Sequence, residues 1–400
     1  MRAALLLTSA AFFAAPLAQA QTVSNDQFDL RGASSEMSIA TDSALDVGVT
    51  SVAGANAYAV SGPNVALDNL QHADGDVTAT NTASIGSAGG VVVVTSAAVA
   101  NGVTSATQNG GMDVRSTQLS HANQTASVVN DTGYVGHSAS SASASGNVAA
   151  LSAANGDISA ALTQESAGSL LASTEADHWG SDGQVVADAI ASANNISATG
   201  STTTLLTDTT QNSGGGQVTA EVELYVGHAA DAVGNATANA NALTIDNEFG
   251  YVNTRAVQEN TASVEARAYV TLGGDFAGFA SAGAYGVGNS AIVSNTTSDT
   301  VLDISQNNVG DISANVGLVT EGAGDQALAS SAAYGNVVTG SLCGQQCGDG
   351  QATLNANNTQ INSGAVHASA AIHAREANTI AGTATAIGNA ATYQSTGPGG

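Results

Sequence analysis

The sequence predicts an all-β fold, a repetitive solenoid in the form of a parallel β-helix of about seven double-coil repeats, and two observations carry that prediction. The first is alternation. In Gln258–Leu272, Val264, Ala266, Ala268, Val270 and Leu272 alternate with Glu265, Arg267, Tyr269 and Thr271, the period of two that marks a half-buried strand. The second is recurrence. The layout returns after Gln211 (Val218, Ala220, Val222, Leu224, Val226), after Gln306 (Ile312, Ala314, Val316, Leu318) and after Gln360 (Val366, Ala368, Ala370, Ile372), with weaker copies from Gln71, His121 and Gln164. These starting points lie 43 to 54 residues apart, as in architectures where each unit buries its apolar face on the next.

From the N-terminus, Met1–Ala20 reads as a signal peptide, with basic Arg2, an apolar run from Ala3 to Leu17, and small residues at Ala18-Gln19-Ala20. Cleavage is expected before Gln21. The apolar run is shorter than the roughly 20 residues that cross a bilayer, and no cysteine follows it to take a lipid, so the expectation is an exported chain without an anchor. Residues 21–50 are less regular and read as a lead-in or capping segment, 51–394 as the solenoid, and 395–400 as a flexible C-terminal tail.

Within the solenoid one strand of each repeat is expected to end in a Gly-Asn pair, giving Asn147, Asn235, Asn289, Asn336 and Asn389, with degenerate versions at Asn64, Asn101 and Asn194. The glycine is read as supplying a positive φ at a corner. A repeat of about 47 residues then divides into two coils of roughly 24, some fourteen coils making a rod on the order of 65 Å long. These asparagines, together with Gln164, Gln211, Gln258, Gln306 and Gln360, are expected to hydrogen-bond along the axis as ladders. Only three Pro occur, in keeping with uninterrupted ladders. Alternation does not report strand direction, so antiparallel hairpins or a curli-like stack would fit the same period.

The chain has six Arg, no Lys and a net charge of −26. That charge argues against nucleic acid and anionic lipid as partners and favours a cationic or neutral polymer. Leu, Ile, Val and Phe make up only about a fifth of the chain, a level at which disorder competes, but a disordered chain has no reason to hold an alternation at fixed period. Nucleophile-elbow, phosphate-loop and zinc-protease motifs are absent from the sequence, and its aspartates lack the spacing of a calcium repeat. No catalytic residue, cofactor or metal site is predicted, and the chain is expected not to be an enzyme. A β-helical polysaccharide-degrading enzyme, which needs only a pair of carboxylates, and a fibre-forming surface subunit are the alternatives.

Two local clusters stand out. Cys343 and Cys347, four apart in a Gly-rich stretch, are expected to form a local disulfide in an oxidising compartment; a metal site there would need further ligands such as His367 and His373. The stretch from Glu175 to Asp182 gathers three acids, a histidine and the single Trp. An aromatic ring flanked by carboxylates can stack on a sugar and accept its hydroxyl hydrogens, which makes Trp179, Asp177 and Asp182 the candidate glycan contacts.

The small-residue strands ending in Gly-Asn, the Gln-x-Asn stretches before alternating strands, and the Cys loop followed by LNANNTQINSGAVHASA resemble the holdfast-anchoring proteins of stalked bacteria, specifically the D member of the holdfast attachment set. The resemblance covers most of the chain beyond the signal. It implies an envelope protein at the outer membrane that fixes surface polysaccharide, the adhesive holdfast, to the cell pole. It also implies passage through a curli-type outer-membrane secretion pore and a companion amyloid-like envelope subunit. The Gln-x-Asn and Gly-Asn elements look like those of curli subunits too, although the repeat here is about twice as long.

Overall fold

The structure is a computed structural model that describes residues 21–344 and 352–396. The predicted signal peptide, residues 397–400 of the predicted tail, and Cys347 lie outside the described residues. Every element among those residues is a strand or the turn joining two strands, and every strand pairing is parallel.

The chain runs through eight coils. Each opens with a nine-residue strand: Gln21–Asp29, Val65–Ala73, Met112–Ser120, Ile158–Ser166, Leu205–Ser213, Val252–Asn260, Thr300–Asn308 and Leu354–Asn362. These eight strands follow one another in a single sheet in chain order. A three- or two-residue turn leads to a second strand, and a looser connection to a long third one. In coil 5 these are Gln217–Val226 and Asp231–Glu248. In coils 2, 3, 7 and 8 the second and third run together, as in Val77–Gln108.

Stacking occurs at one whole repeat. Gln211 pairs with Gln164 behind it and Gln258 ahead of it, and Val222 with Thr174 and Ala268. The coil is therefore about 47 residues, and the double coil of roughly 24 residues does not form. The reason is physical: alternation reveals which face a strand buries, but not which strand lies beside it, so one long coil and two short ones produce the same pattern. Eight rungs at about 4.8 Å give a stack on the order of 40 Å, shorter than the fourteen-coil estimate. Residues 21–50, read as a lead-in, carry the first two strands of coil 1 and the start of the third, in register with coil 2.

The facing read from Gln258–Leu272 is the facing observed. Val264, Ala266, Ala268, Val270 and Leu272 are buried, while Glu265, Arg267, Tyr269 and Thr271 point outward. Ala and Val dominate where a second strand packs closely against the first half of a third strand, and the larger Leu170, Leu272 and Ile312 are buried in the same layer. A separate core lies between the first strands and the second half of the third, and takes the larger Leu162, Ile196, Leu205, Leu243 and Ile245.

One strand serves both cores by changing phase at a single point. In coil 4, Ala189, Ala191 and Ala193 face the first core, and Ile196 and Ala198 face the second. Ala193 and Asn194, adjacent in sequence, are both buried at that switch. The corner position is Gly146 in coil 3, where an added Cβ would stand 2.5 Å from the Ala193 carbonyl oxygen. Its φ is not positive, the positive-φ glycines being Gly32 and Gly215. Glycine is thus favoured at the corner by close approach to the next coil, and the left-handed conformation predicted for it is not used.

Two side-chain ladders run the length of the stack. Asn56, Asn101, Asn147, Asn194, Asn241, Asn289, Asn336 and Asn389 each donate to the next at 2.7–2.8 Å. Gln27, Gln71, Gln118, Gln164, Gln211, Gln258, Gln306 and Gln360 form the second, each donating back to the one before at 2.7–3.0 Å. Asn235 is not a member: it is exposed and donates to Asp188 at 3.0 Å. Its Gly-Asn pair mimics the corner, while the true corner in that coil is Ala240-Asn241. Similarly, Gln118 rather than His121 holds the ladder position in coil 3, and Asn56 rather than Asn64 in coil 1.

The ladders also clamp the first strand to the third. Gln211 Nε2 donates to the carbonyl of Ala242 at 2.9 Å, one residue past Asn241. Asn194 Nδ2 donates to the carbonyl of Asn212 at 2.8 Å, one residue past Gln211. Buried amides are thereby satisfied both along and across the stack, which offsets the cost of taking them out of water.

Candidate functional site

The outward face of the second strands carries the densest functional chemistry. Because rungs stack in register, outward residues form columns: Val129, Glu175, Glu223 and Tyr269 in one, Asp131, Asp177, Tyr225 and Thr271 in the next. Glu175, Asp177, Glu223, Tyr225, Tyr269 and Thr271 line an open groove. Burial, and then the neighbouring Asp131 carboxylate, push the Asp177 carboxyl above its ordinary value. Earlier on the same two strands, Arg267 Nη2 lies 2.6 Å from Glu265 Oε1, and its Nη1 3.8 Å from Glu221 Oε1, so this cation is tied to two carboxylates.

Trp179 ends the same outward row, two positions after Asp177, and is 71% exposed. Its ring meets His228 edge-on at 6.0 Å, and His228 in turn lies 5.9 Å from Tyr134. The Tyr134 hydroxyl donates to Asp182, a bond that raises the Tyr134 pKa. Of the three sequence candidates, Asp177 lines the groove, while Trp179 and Asp182 lie outside its lining and are linked to each other through His228 and Tyr134. His178 between them points inward, fully buried.

Sequence reasoning missed Glu223, Tyr225 and Tyr269, which come from coils 5 and 6. The signal that could have found them was the repeat register, since Tyr225 falls 48 positions after Asp177 in the common alternation. His367 and His373, the further ligands that a metal site at the cysteines would have needed, lie on one exposed face of Val366–Thr396, six residues apart. At about 3.3 Å per residue that is roughly 20 Å, too far to share an ion. Cys343 ends its strand and is disulfide-bonded.

A search of curated proteins and a search of solved structures each return no match. The family model described as holdfast attachment protein D matches residues 41–311, well over half of the chain, and six of the eight coils described above begin within it. That family carries a role in holdfast attachment and a place at the cell surface or envelope. By its repeat pattern and this match, the chain belongs to the holdfast attachment protein D family.

Proposed function

We propose that this chain is an exported structural protein that anchors adhesive holdfast polysaccharide to the cell envelope, doing so as a parallel β-helix whose repeated outer face makes the contact and without catalysing a reaction. The observation that carries the reading is the stacking that sets Glu175 beside Glu223 and Asp177 beside Tyr225, with Trp179 on the same strand. Aromatic faces and carboxylates are the groups that hold sugars. Rungs about 4.8 Å apart present them repeatedly to a polymer laid along the axis, so that weak contacts combine. With a net charge of −26, the protein suits a neutral or partly cationic glycan.

The resemblance supports export after removal of Met1–Ala20, outer-membrane association, passage through a curli-type pore and a companion amyloid-like subunit. Leu354–Asn362 pairs on one side only, with Thr300–Asn308, and such an edge is suited to strand addition by a companion.

A second reading, a polysaccharide-degrading enzyme, draws on the placement of Glu175 and Glu223 on adjacent rungs of an open groove, a pair of carboxylates being what a glycosidase needs. One experiment separates the two. Purified holdfast polysaccharide is bound to immobilised full-length protein carrying Tyr225→Ala with Tyr269→Ala, Trp179→Ala, or Glu223→Gln. The anchor reading expects retention to fall with the aromatic variants, only slightly with Glu223→Gln, and the polymer to stay intact. Shortening of the polymer by wild type, abolished by Glu223→Gln, would replace it with the enzymatic one.

A further inference from the structure

We propose that His72, Asp74 and His121 form a binding site for a divalent transition-metal ion of zinc's coordination preference, fastening coil 2 to coil 3. His72 is the next-to-last residue of the first strand of coil 2, and Asp74 follows two residues later in the connection to the second strand. His121 comes from the equivalent connection one coil on. The stacking register brings them together without a long-range loop, because His121 stands where Asp74 does, one rung higher.

Three donor atoms converge. His72 Nε2 lies 2.9 Å from Asp74 Oδ1, His121 Nδ1 lies 3.0 Å from the same oxygen, and the two nitrogens are 3.3 Å apart. Tetrahedral zinc with bonds of about 2.0–2.2 Å sets its ligands about 3.3–3.5 Å apart, so the triangle needs only a slight spreading to become one face of that polyhedron. The group is partly exposed, with side-chain accessibilities of 25%, 40% and 46% for His72, Asp74 and His121. The fourth position is therefore open to water.

The rings are held for this role. They meet edge-on at 5.2 Å and 85°, and Phe28 from coil 1 packs against His72 at 6.2 Å and 65°. A metal would take His72 through Nε2 and His121 through Nδ1, each imidazole neutral with its proton on the other nitrogen. Both imidazoles point at the one Asp74 oxygen, and their two nitrogens lie within hydrogen-bonding distance of each other with roles set by the tautomers. Two imidazoles and one carboxylate suit zinc, copper or nickel and not calcium or magnesium, which prefer all-oxygen sites. Among the described residues this is the one cluster of three or more such ligands whose donor atoms meet.

The test is calorimetric titration of zinc chloride into the tag-free, chelator-stripped full chain, with calcium chloride as comparator. The proposal expects one saturable zinc site per chain, none for calcium, and a melting temperature that rises with zinc. Asp74→Asn and His121→Ala should each weaken zinc by more than about 100-fold, beyond what outer-shell changes do. The double variant His367→Ala/His373→Ala should bind as wild type does. His121→Gln provides a second reading of the same ligand should the alanine variant not fold. Absence of a saturable site in wild type, or unweakened binding by folded Asp74→Asn and His121 variants, would overturn the proposal.

Discussion

Asn194 Nδ2 donates to Oδ1 of Asn241 at 2.8 Å across 47 positions of chain, and both side chains are fully buried. Asn241 passes the bond on to Asn289 and donates also to the carbonyl of Glu259. Truncating it removes a donor from the Glu259 carbonyl and from Asn289 Oδ1, and an acceptor from Asn194 Nδ2. Asn241→Ala should therefore cost about 2–3 kcal/mol. Asn235→Ala, at the exposed Gly-Asn pair that only imitates the ladder, should stay within about 0.5 kcal/mol. Denaturant melts of the two variants check this, and equal losses would dissolve the ladder assignment.

That contrast marks how far the chain could be read before its structure. The repeat, the facing of strands such as Val264–Leu272 and the glutamine ladder were legible because each depends on residue type at fixed spacing. The coil length was not, since a buried face does not name its neighbour. Asn241 was hidden because its corner needs only a small residue before the asparagine, and Ala240 serves where Gly146 does elsewhere. The groove was half visible: Asp177 and Trp179 are local in sequence, whereas Tyr225 and Tyr269 join them only through the 47-residue register. His72, Asp74 and His121 were invisible for the same reason.

The facing of the second strands is open to a direct check at Ala268, which is fully buried between Val222 and Val316 on adjacent rungs. Ala268→Asp should destabilise by several kcal/mol, because it puts an unpaired charge into a layer with no room or partner for it. Thr271→Ser, on the outward side, should change little. Thermal melts that place the two variants together would reject the assignment.

His178 makes acid stability a test of the core. It is fully buried, neither ring nitrogen makes a hydrogen bond of ordinary geometry, and burial lowers its pKa from 6.5 to about 4. Between those values the unfolded chain binds a proton that the folded chain refuses. Stability is then complete above pH 6.5 and is lost as pH falls toward 4, by up to about 3 kcal/mol. His178→Val, matching Val226 on the next rung, should remove this part of the pH dependence. Parallel profiles for wild type and variant between pH 4 and 6.5 would contradict the expectation.

The turns that lead from one coil to the next repeat a left-handed residue: Asn109, Asn155, Thr202, Phe249 and Thr297 all have φ between 54° and 68°. Asparagine tolerates this region, and a β-branched residue there is strained. Thr202→Asn, which copies coils 2 and 3, should stabilise the protein by up to about 1 kcal/mol. A higher melting temperature is the expected result, and an unchanged or lower one would mean that the turn gains nothing from asparagine.

The most direct measurement of the anchoring role is made on cells: the adhesive polysaccharide is quantified on the cell and in the medium with the gene deleted, and again with internal coils removed in whole units. If the protein is the anchor, deletion leaves synthesis intact and moves the adhesive into the medium or onto the substrate, and removing coils in register weakens retention by degrees. Loss of polysaccharide synthesis on deletion, or abolition of retention by one carboxylate substitution in a folded protein, would contradict it.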